Sequence, residues 1–248
     1  MSITGVPDGE DGAGPQKVGV ALTDILTGLY ATIGILAALQ ERNRSGLGQH
    51  IDTALLDVQV ATLANQASNY LVGGVVPRRM GNAHPSIVPY QTFPTADSDM
   101  ILAVGNDGQF ARFCAVAGRP EWAQDERFAT NPQRVRHRAE LIPLLRQTTV
   151  MRSTAEWVSA LEQADVPCGP VNRLDQVFAD PQVQARGCVV EMPHASGETV
   201  KVIANPVRLS ATPPAYKSAP PVLEQHTEEV LGGLLGMGEA EIAGLKEK

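Results

Sequence analysis

A long apolar segment that follows a single carboxylate constrains the fold more than any other feature. Between Asp24 and Arg42 the sequence reads DILTGLYATIGILAALQER, with small residues alternating with large apolar ones on every face of a predicted helix. A helix without a polar face is typical of a buried element, so the fold must cover all of its sides. The mostly apolar stretch from Ile25 to Leu39 is too short to span a bilayer.

Charge and cysteine content exclude several classes of partner. The net charge is -7, and we see no Lys- and Arg-rich run that would predict a nucleic-acid or membrane-binding surface. Three scattered cysteines form neither a disulfide framework nor a zinc pattern, so we expect no metal and a cytoplasmic location. The acidic, Gly- and Pro-rich residues 1–20 look irregular and do not resemble a signal peptide or a membrane anchor.

The positions of turn-forming residues and the periodicity of apolar residues predict a mixed α and β protein in two units. After a short strand over residues 49–53, a second helix over 54–71 ends at Gly73 and Gly74. Residues 86–105 predict two antiparallel strands, and Ser153 with Glu156 forms a capping box at a later helix start. The remaining predictions are helices over 107–117, 133–147, 153–164 and 174–179, strands over 187–192 and 199–203, and a helical pair from about 225.

Asp24 is the first candidate functional residue, because a carboxylate between apolar segments is costly to bury without a purpose. One interpretation is structural: aspartate is a favoured N-cap, where free N–H groups stabilise its charge. The other interpretation is chemical, since a helix N-terminus also suits a carboxylate that attacks a thioester. The two interpretations are compatible.

The second candidate is the loop from Met80 to Ser86, which contains Gly81, Asn82, His84 and Pro85. Such a loop can offer backbone N–H groups to a developing oxyanion, although it also fits an ordinary entry into a strand. Elsewhere, we interpret His226 as structural, because it precedes a helix start, and Cys168 as a packing residue.

Several segments together closely resemble the class III CoA-transferases, also called the CaiB/BaiF family, which includes formyl-CoA transferase. The resemblance covers nearly the whole chain and rests on the order and spacing of its motifs. These are Met1-Ser2-Ile3-Thr4-Gly5, Gly19 to Ala31 around Asp24, Arg44 to Gln49, Gly81 to Pro85 with Pro89-Tyr90, Val166 to Val171, and Gln225-His226-Thr227.

The resemblance implies a fold, a set of domains and a mechanism. It implies an α/β fold with an incomplete Rossmann-like large domain, a small α+β domain and an interlocked homodimer. The corresponding divisions are a large-domain remainder over 1–58, a linker helix and crossing over 59–80, the small domain over 81–170, and a linker with a return to the large domain over 171–248. Asp24 falls on the family's nucleophile, and the loop at Gly81, Asn82, His84 and Pro85 on its active-site loop.

The implied reaction moves CoA from an acyl-CoA to a small carboxylic acid, with a dicarboxylate as the expected acceptor. CoA and acyl-CoA are then substrates, and no bound cofactor is expected. Two departures from the family stand out. Its nucleotide-binding N-terminal half is expected before Met1, so this chain is expected to expose an apolar surface near the Ile25 to Leu39 helix, and Glu224 stands where relatives usually have glycine. The alternatives are an α-methylacyl-CoA racemase, in which the aspartate is an acid or base, and an inactive fragment or interaction module.

Overall fold

The computed structural model describes residues 1–246, and the chain forms two compact units that divide after Val171. Both units combine helices with small antiparallel sheets, so the predicted mixed α/β class is confirmed. The Rossmann-like character of the first segment, the four-part division of the chain and the interlocked dimer stay predictions.

The first unit is built around a three-stranded antiparallel sheet in the order β3-β4-β5. Gln91 pairs with Leu102, and Leu102 pairs with Cys168. In chain order the elements are β1 (Gly5–Val6), β2 (Gly14–Pro15), α1 (Leu22–Ser45), α2 (Leu55–Ala61), α3 (Ala64–Leu71), β3 (Tyr90–Pro94), β4 (Asp99–Ala103), α4 (Asp107–Val116), α5 (Asn131–Arg136), α6 (Arg138–Thr149), α7 (Thr154–Gln163) and β5 (Cys168–Pro170).

The core of this unit lies where α4, α6 and α7 pack on the sheet. Alternate strand residues such as Phe93, Met100 and Leu102 are fully buried, as expected when one sheet face is covered. Trp157 on α7 stacks on Phe113 with ring centroids 6.4 Å apart, and its indole N–H donates to the Thr149 carbonyl at 2.7 Å. The buried aromatic ring therefore keeps its polar group satisfied.

The helix predicted from Asp24 is confirmed as α1, but its predicted burial is not. The helix ends at Gly46, whose φ of 76° provides a left-handed C-cap. None of its residues is buried, and its contacts are chiefly with α2. Ile33 is 62% exposed and Leu36 is 61% exposed. The burial predicted from periodicity fails because no other described segment lies across these faces, and the apolar surface expected near this helix is present.

The length of α1 also corrects the argument about membranes. With 24 residues and a mean hydropathy of 1.7 over its most apolar portion, α1 is long and apolar enough to cross a bilayer. Length and composition are a weak criterion, because the core helix of a soluble protein satisfies them equally well.

Several local predictions are wrong for identifiable reasons. Residues 49–53 form no strand, since no described strand pairs with them. The helix predicted over 54–71 is divided into α2 and α3, because Ala64 has a positive φ of 46° that interrupts the helix. The N-terminal residues include the hairpin β1–β2, and β5 is a strand that the sequence analysis missed.

The second unit contains α8 (Leu174–Ala179), α9 (Pro181–Ala185), β6 (Val189–Pro193), β7 (Thr199–Ile203), a π-helical turn (Glu229–Leu234) and α10 (Glu239–Lys246). Strands β6 and β7 form an antiparallel hairpin in which Val190 pairs with Val202. The predicted helix, both strands and the terminal helical pair are confirmed. Helix α9 was not predicted; Asp180 caps it by accepting from two backbone N–H groups.

Asp97 couples the stability of the first unit to pH. Its Oδ1 atom accepts from the Thr154 N–H at 2.8 Å, from the Thr154 hydroxyl at 2.9 Å and from the Thr95 hydroxyl at 3.0 Å. These hydrogen bonds, led by that of the Thr154 backbone, lower the pKa of Asp97 from its ordinary value of 3.8. A lowered folded-state pKa stabilises the fold above the ordinary value, and this contribution is lost as the pH falls below it.

We therefore expect Asp97→Asn to lower the thermal unfolding midpoint at pH 7, with the difference from the unmodified chain shrinking towards pH 3. Asp99→Asn is the matched control, because Asp99 lies two residues away and its side chain makes no hydrogen bond with the described residues. Scanning calorimetry across this pH range measures both. Equal effects of the two substitutions at pH 7, or a pH-independent difference, would contradict the assignment.

The uncovered faces of α1 predict self-association of the isolated chain. Large exposed apolar patches favour aggregation or docking, because burying them removes apolar surface from water. We expect Ile33→Glu with Leu36→Glu to reduce both the sedimentation coefficient and the binding of a hydrophobic dye. Met151→Glu is the control, since Met151 is 73% exposed and lies outside α1. A monomeric chain that binds no dye would refute this prediction.

Candidate functional site

Asp24 lies in the first turn of α1, two residues after the helix begins at Leu22. The predicted N-cap role is wrong, because Ala21 occupies the cap position and makes no side-chain cap bond. Asp24 therefore lies in the first turn, where N–H groups of a helix lack intrahelical acceptors. Its position at the start of the helix is the one that the sequence predicted.

The carboxylate of Asp24 is exposed and has no hydrogen-bond or ion-pair partner among the described residues. The turn that carries it is fixed by its neighbours: Thr27 donates to the Thr23 carbonyl at 2.7 Å, and the Thr23 hydroxyl bonds Gln59 of α2. The backbone of this turn is thus held by Thr23 and Thr27, and the Asp24 side chain is exposed.

The loop from Met80 to Pro85 is tied to two other segments. The Gly81 N–H donates to the Gly5 carbonyl at 3.1 Å, and Gly81 has a φ of 62°, which a side chain would make costly. Asn82 bonds the Thr92 hydroxyl through its amide group and accepts from the Thr92 N–H at 3.0 Å. These contacts fix the loop against β1 and β3.

His84 is held by local contacts. Its Nδ1 accepts from the Ser86 N–H at 3.1 Å, its backbone N–H donates to the Tyr90 carbonyl at 2.9 Å, and its ring stacks on Tyr90 at 5.5 Å. This is the local hydrogen bonding that the structural interpretation of the loop expected.

A cleft of about 600 Å³ opens beside this loop and is hereafter called the arginine cleft. It is lined by residues of the N-terminal hairpin region, the loop, β3 and α6, and Gly81 and Asn82 belong to its wall. Four arginines line it, Arg79, Arg136, Arg138 and Arg146, against a single acid, Glu10. Neither Asp24, His84 nor Pro85 lines it.

Arg138 connects the loop to the cleft. The Nη2 atom of Arg138 donates to the His84 carbonyl at 2.6 Å and to the Pro85 carbonyl at 3.1 Å. Partial burial lowers the pKa of the Arg138 guanidinium, because desolvation disfavours its charge. No carboxylate among the described residues pairs with Arg138, so its other N–H groups remain available to a ligand.

The sequence analysis missed these arginines. The signal was present, since Arg134, Arg136 and Arg138 alternate over five residues of an otherwise acidic chain. The short cluster contains one buried member, Arg134, and two that line the cleft.

Two further residues behave as the sequence suggested. His226 pairs with Glu229 at 3.0 Å in the second unit, consistent with a structural role. Cys168 lies in β5, and burial raises the pKa of its thiol, which suits a packing residue. Within residues 1–246, no group of three or more His, Cys, Asp or Glu side chains is arranged to hold a metal ion.

Comparison with known proteins identifies the family. The profile described as CoA-transferase family III matches residues 1–227. A succinate–glutarate CoA-transferase from Agrobacterium fabrum is 49% identical over 234 residues, which cover 94% of this chain and 58% of that protein. A succinyl-CoA:glutarate CoA-transferase from Mus musculus is 40% identical over 242 residues, covering 98% of this chain and 55% of that protein.

A solved structure agrees with these sequence matches. The crystal structure of a CaiB/BaiF family protein from Brucella suis is 45% identical and superposes with a TM-score of 0.75, covering 98% of this chain and 60% of that one. The chain therefore spans somewhat more than half the length of the relatives that it matches. With the family profile matched over most of its length, the chain belongs to CoA-transferase family III.

Proposed function

We propose that the protein carrying this chain transfers CoA from an acyl-CoA to a dicarboxylic acid through covalent intermediates on Asp24. The observation that carries the proposal is the exposed, unpartnered carboxylate in the first turn of α1, within a chain of CoA-transferase family III. The names of the two relatives, which pair succinate or succinyl-CoA with glutarate, support a dicarboxylate as the acceptor.

The reaction is a sequence of four acyl substitutions. The Asp24 carboxylate attacks the thioester carbon, the C–S bond breaks, and an aspartyl anhydride and CoA thiolate result. The thiolate attacks the aspartyl carbon of the anhydride, which releases the donor acid and leaves an aspartyl-CoA thioester. The acceptor carboxylate attacks that thioester to form a second anhydride and thiolate. The thiolate then attacks the acceptor carbonyl, which gives the new acyl-CoA and restores Asp24.

Two features of this chain favour those steps. Free N–H groups and the macrodipole at the start of α1 stabilise negative charge near Asp24 between attacks. Each attack also develops charge on a carbonyl oxygen, which preorganised N–H donors stabilise. We assign the loop with Gly81, Asn82, His84 and Pro85 to substrate and CoA binding, because its backbone is fixed on two sides.

The racemase alternative is less well supported, because the relatives described above are named as CoA-transferases. The other alternative is an inactive chain. We also propose that the protein is a homodimer and is located in the cytoplasm. The uncovered surface of α1 supports association with a further folded segment or subunit.

We expect Asp24→Ala to reduce CoA exchange between succinyl-CoA and glutarate by about four orders of magnitude or more in an active protein that contains this chain. The nucleophile is lost, whereas most CoA contacts lie elsewhere, so CoA binding should survive. Steady-state exchange assays and calorimetric titration with CoA measure the two quantities. Asp175→Asn is the control, because Asp175 is also an exposed first-turn aspartate but lies in α8.

Trapping gives an independent test of the covalent intermediates. After mixing with acyl-CoA and quenching with borohydride, mass spectrometry should find the modification on the peptide that contains Asp24. His84→Ala should slow exchange less than Asp24→Ala, because the backbone donors of the loop remain. Undiminished exchange in the Asp24→Ala protein would refute the mechanism. Exchange of the α-proton without acyl transfer would support the racemase.

A further inference from the structure

The arginine cleft combines positive charge with unused hydrogen-bond donors in a chain of net charge -7. Arg79 is neutralised there by its ion pair with Asp8, and its Nε donates to the Val6 carbonyl at 3.3 Å. The other three arginines have no acidic partner among the described residues. The single acid in the wall, Glu10, leaves an excess of positive charge that attracts anions.

The arginines differ in how firmly they are placed. Arg138 begins α6, is partly buried, and uses only its Nη2 group to hold the loop. Arg146 is two turns further along α6, exposed, and its side chain makes no hydrogen bond with the described residues. Arg136 has only a long contact of 3.4 Å to Gln133. Guanidinium groups with free N–H pairs match carboxylate and phosphate oxygens in bidentate geometry.

The walls between these charges are suited to a short carbon chain. Ile142 and Pro143 supply apolar surface from α6, while Gln91, Thr92 and Asn82 supply polar groups from β3 and the loop. The cleft volume of about 600 Å³ lies within the range of small-molecule sites, which run from roughly 300 to 1,000 Å³. A mainly apolar floor with a few convergent cations fits an aliphatic acid better than it fits a metal ion.

We propose that Arg138 and Arg146 bind an oxyanion of a substrate at a distance from its reacting carbonyl, and that Arg138 also positions the loop. The inference rests on the proposed function and names the feature that recognises the substrate. Two sources share this chemistry: the remote carboxylate of a dicarboxylic acid and a phosphate of CoA.

Kinetics with matched acceptors distinguish these sources. In an active protein that contains this chain, Arg146→Gln should raise KM for glutarate by about 10- to 100-fold, which corresponds to losing one charge-assisted interaction. KM for pentanoate, which has the same chain length and one carboxylate, should not change, and kcat should be nearly constant. If phosphate is the ligand, KM rises also for acetyl-CoA, a donor without a second carboxylate, and that rise disappears with the 3′-dephospho thioester.

Controls separate binding from folding. Arg146→Gln removes no described hydrogen bond, so it should fold normally, whereas Arg138→Gln also releases the His84 and Pro85 carbonyls. Arg138→Lys keeps the charge and should restore part of the glutarate affinity. Arg119→Gln is the matched control, because Arg119 is exposed and lies outside the cleft. The proposal would be overturned if the Arg146→Gln and Arg119→Gln proteins had the same KM for glutarate and also the same KM for succinyl-CoA.

A direct binding measurement makes failure of this inference distinguishable from failure of the proposed function. Calorimetric titration of the 248-residue chain with glutarate and with inorganic phosphate requires no turnover. Anion binding that Arg146→Gln weakens and Arg119→Gln preserves would support the cleft even if no CoA exchange were found. The opposite result is that CoA exchange depends on Asp24, whereas Arg146→Gln changes neither anion binding nor the KM values. That result would leave the proposed function intact and would refute anion binding in the arginine cleft.

Discussion

The buried guanidinium of Arg134 is the interaction on which the arrangement of the first unit depends. It donates to the Val88 carbonyl at 2.7 Å, to the Phe128 carbonyl at 2.9 Å and to Asp107 at 2.8 Å, and it lies 4.4 Å from the Phe110 ring centre. One fully buried side chain thus joins the entry to β3, the segment before α5 and the start of α4. Burial lowers the pKa of Arg134, and the Asp107 carboxylate opposes that shift. Removing Asp107, which is about half exposed, would leave the buried charge of Arg134 without its ion-pair partner.

Asn131 and Arg138, which flank Arg134 in sequence, bind the backbone of the candidate loop in a similar way. Asn131 accepts from the Val88 N–H at 3.1 Å and donates to the Ser86 carbonyl at 2.8 Å, while Arg138 holds the next two carbonyls upstream. Segment 84–88 is therefore clasped by α5 and the start of α6 through backbone groups rather than through its own side chains. Because these hydrogen bonds involve backbone groups of segment 84–88, they do not depend on the identity of its side chains. The sequence signal for this device is consequently weak.

The sequence predicted those structural features that a few adjacent residues determine, and it missed features that depend on distant segments. The capping box of Ser153 and Glu156 was predictable, since a four-residue pattern determines it. The position of Asp24 in a first turn followed from apolar periodicity, although the exact helix start was missed by two residues. Strand β5 was not predictable from Cys168-Gly169-Pro170, because it exists only by pairing with β4, far away in sequence. Glu224 lies between these cases: the resemblance led us to expect glycine at this position, and the φ of 64° is a conformation that glycine adopts at lower cost than other residues.

The physical contrast between the two parts of the candidate site bears on how the proposed chemistry would work. Every member of the main core cluster lies between Val88 and Val166, so the arginine cleft rests on a densely packed support. Asp24 instead sits on α1, a helix with no buried residue, whose orientation is set by α2 and by whatever covers its apolar faces. Within the cleft, Arg138 is already held by its bonds to the loop, so it loses less side-chain freedom when it binds an anion. Under the proposed mechanism, a nucleophile on an incompletely packed helix would reach its productive position only once those faces are covered, so covalent catalysis would depend on assembly, whereas the proposed anion binding would not.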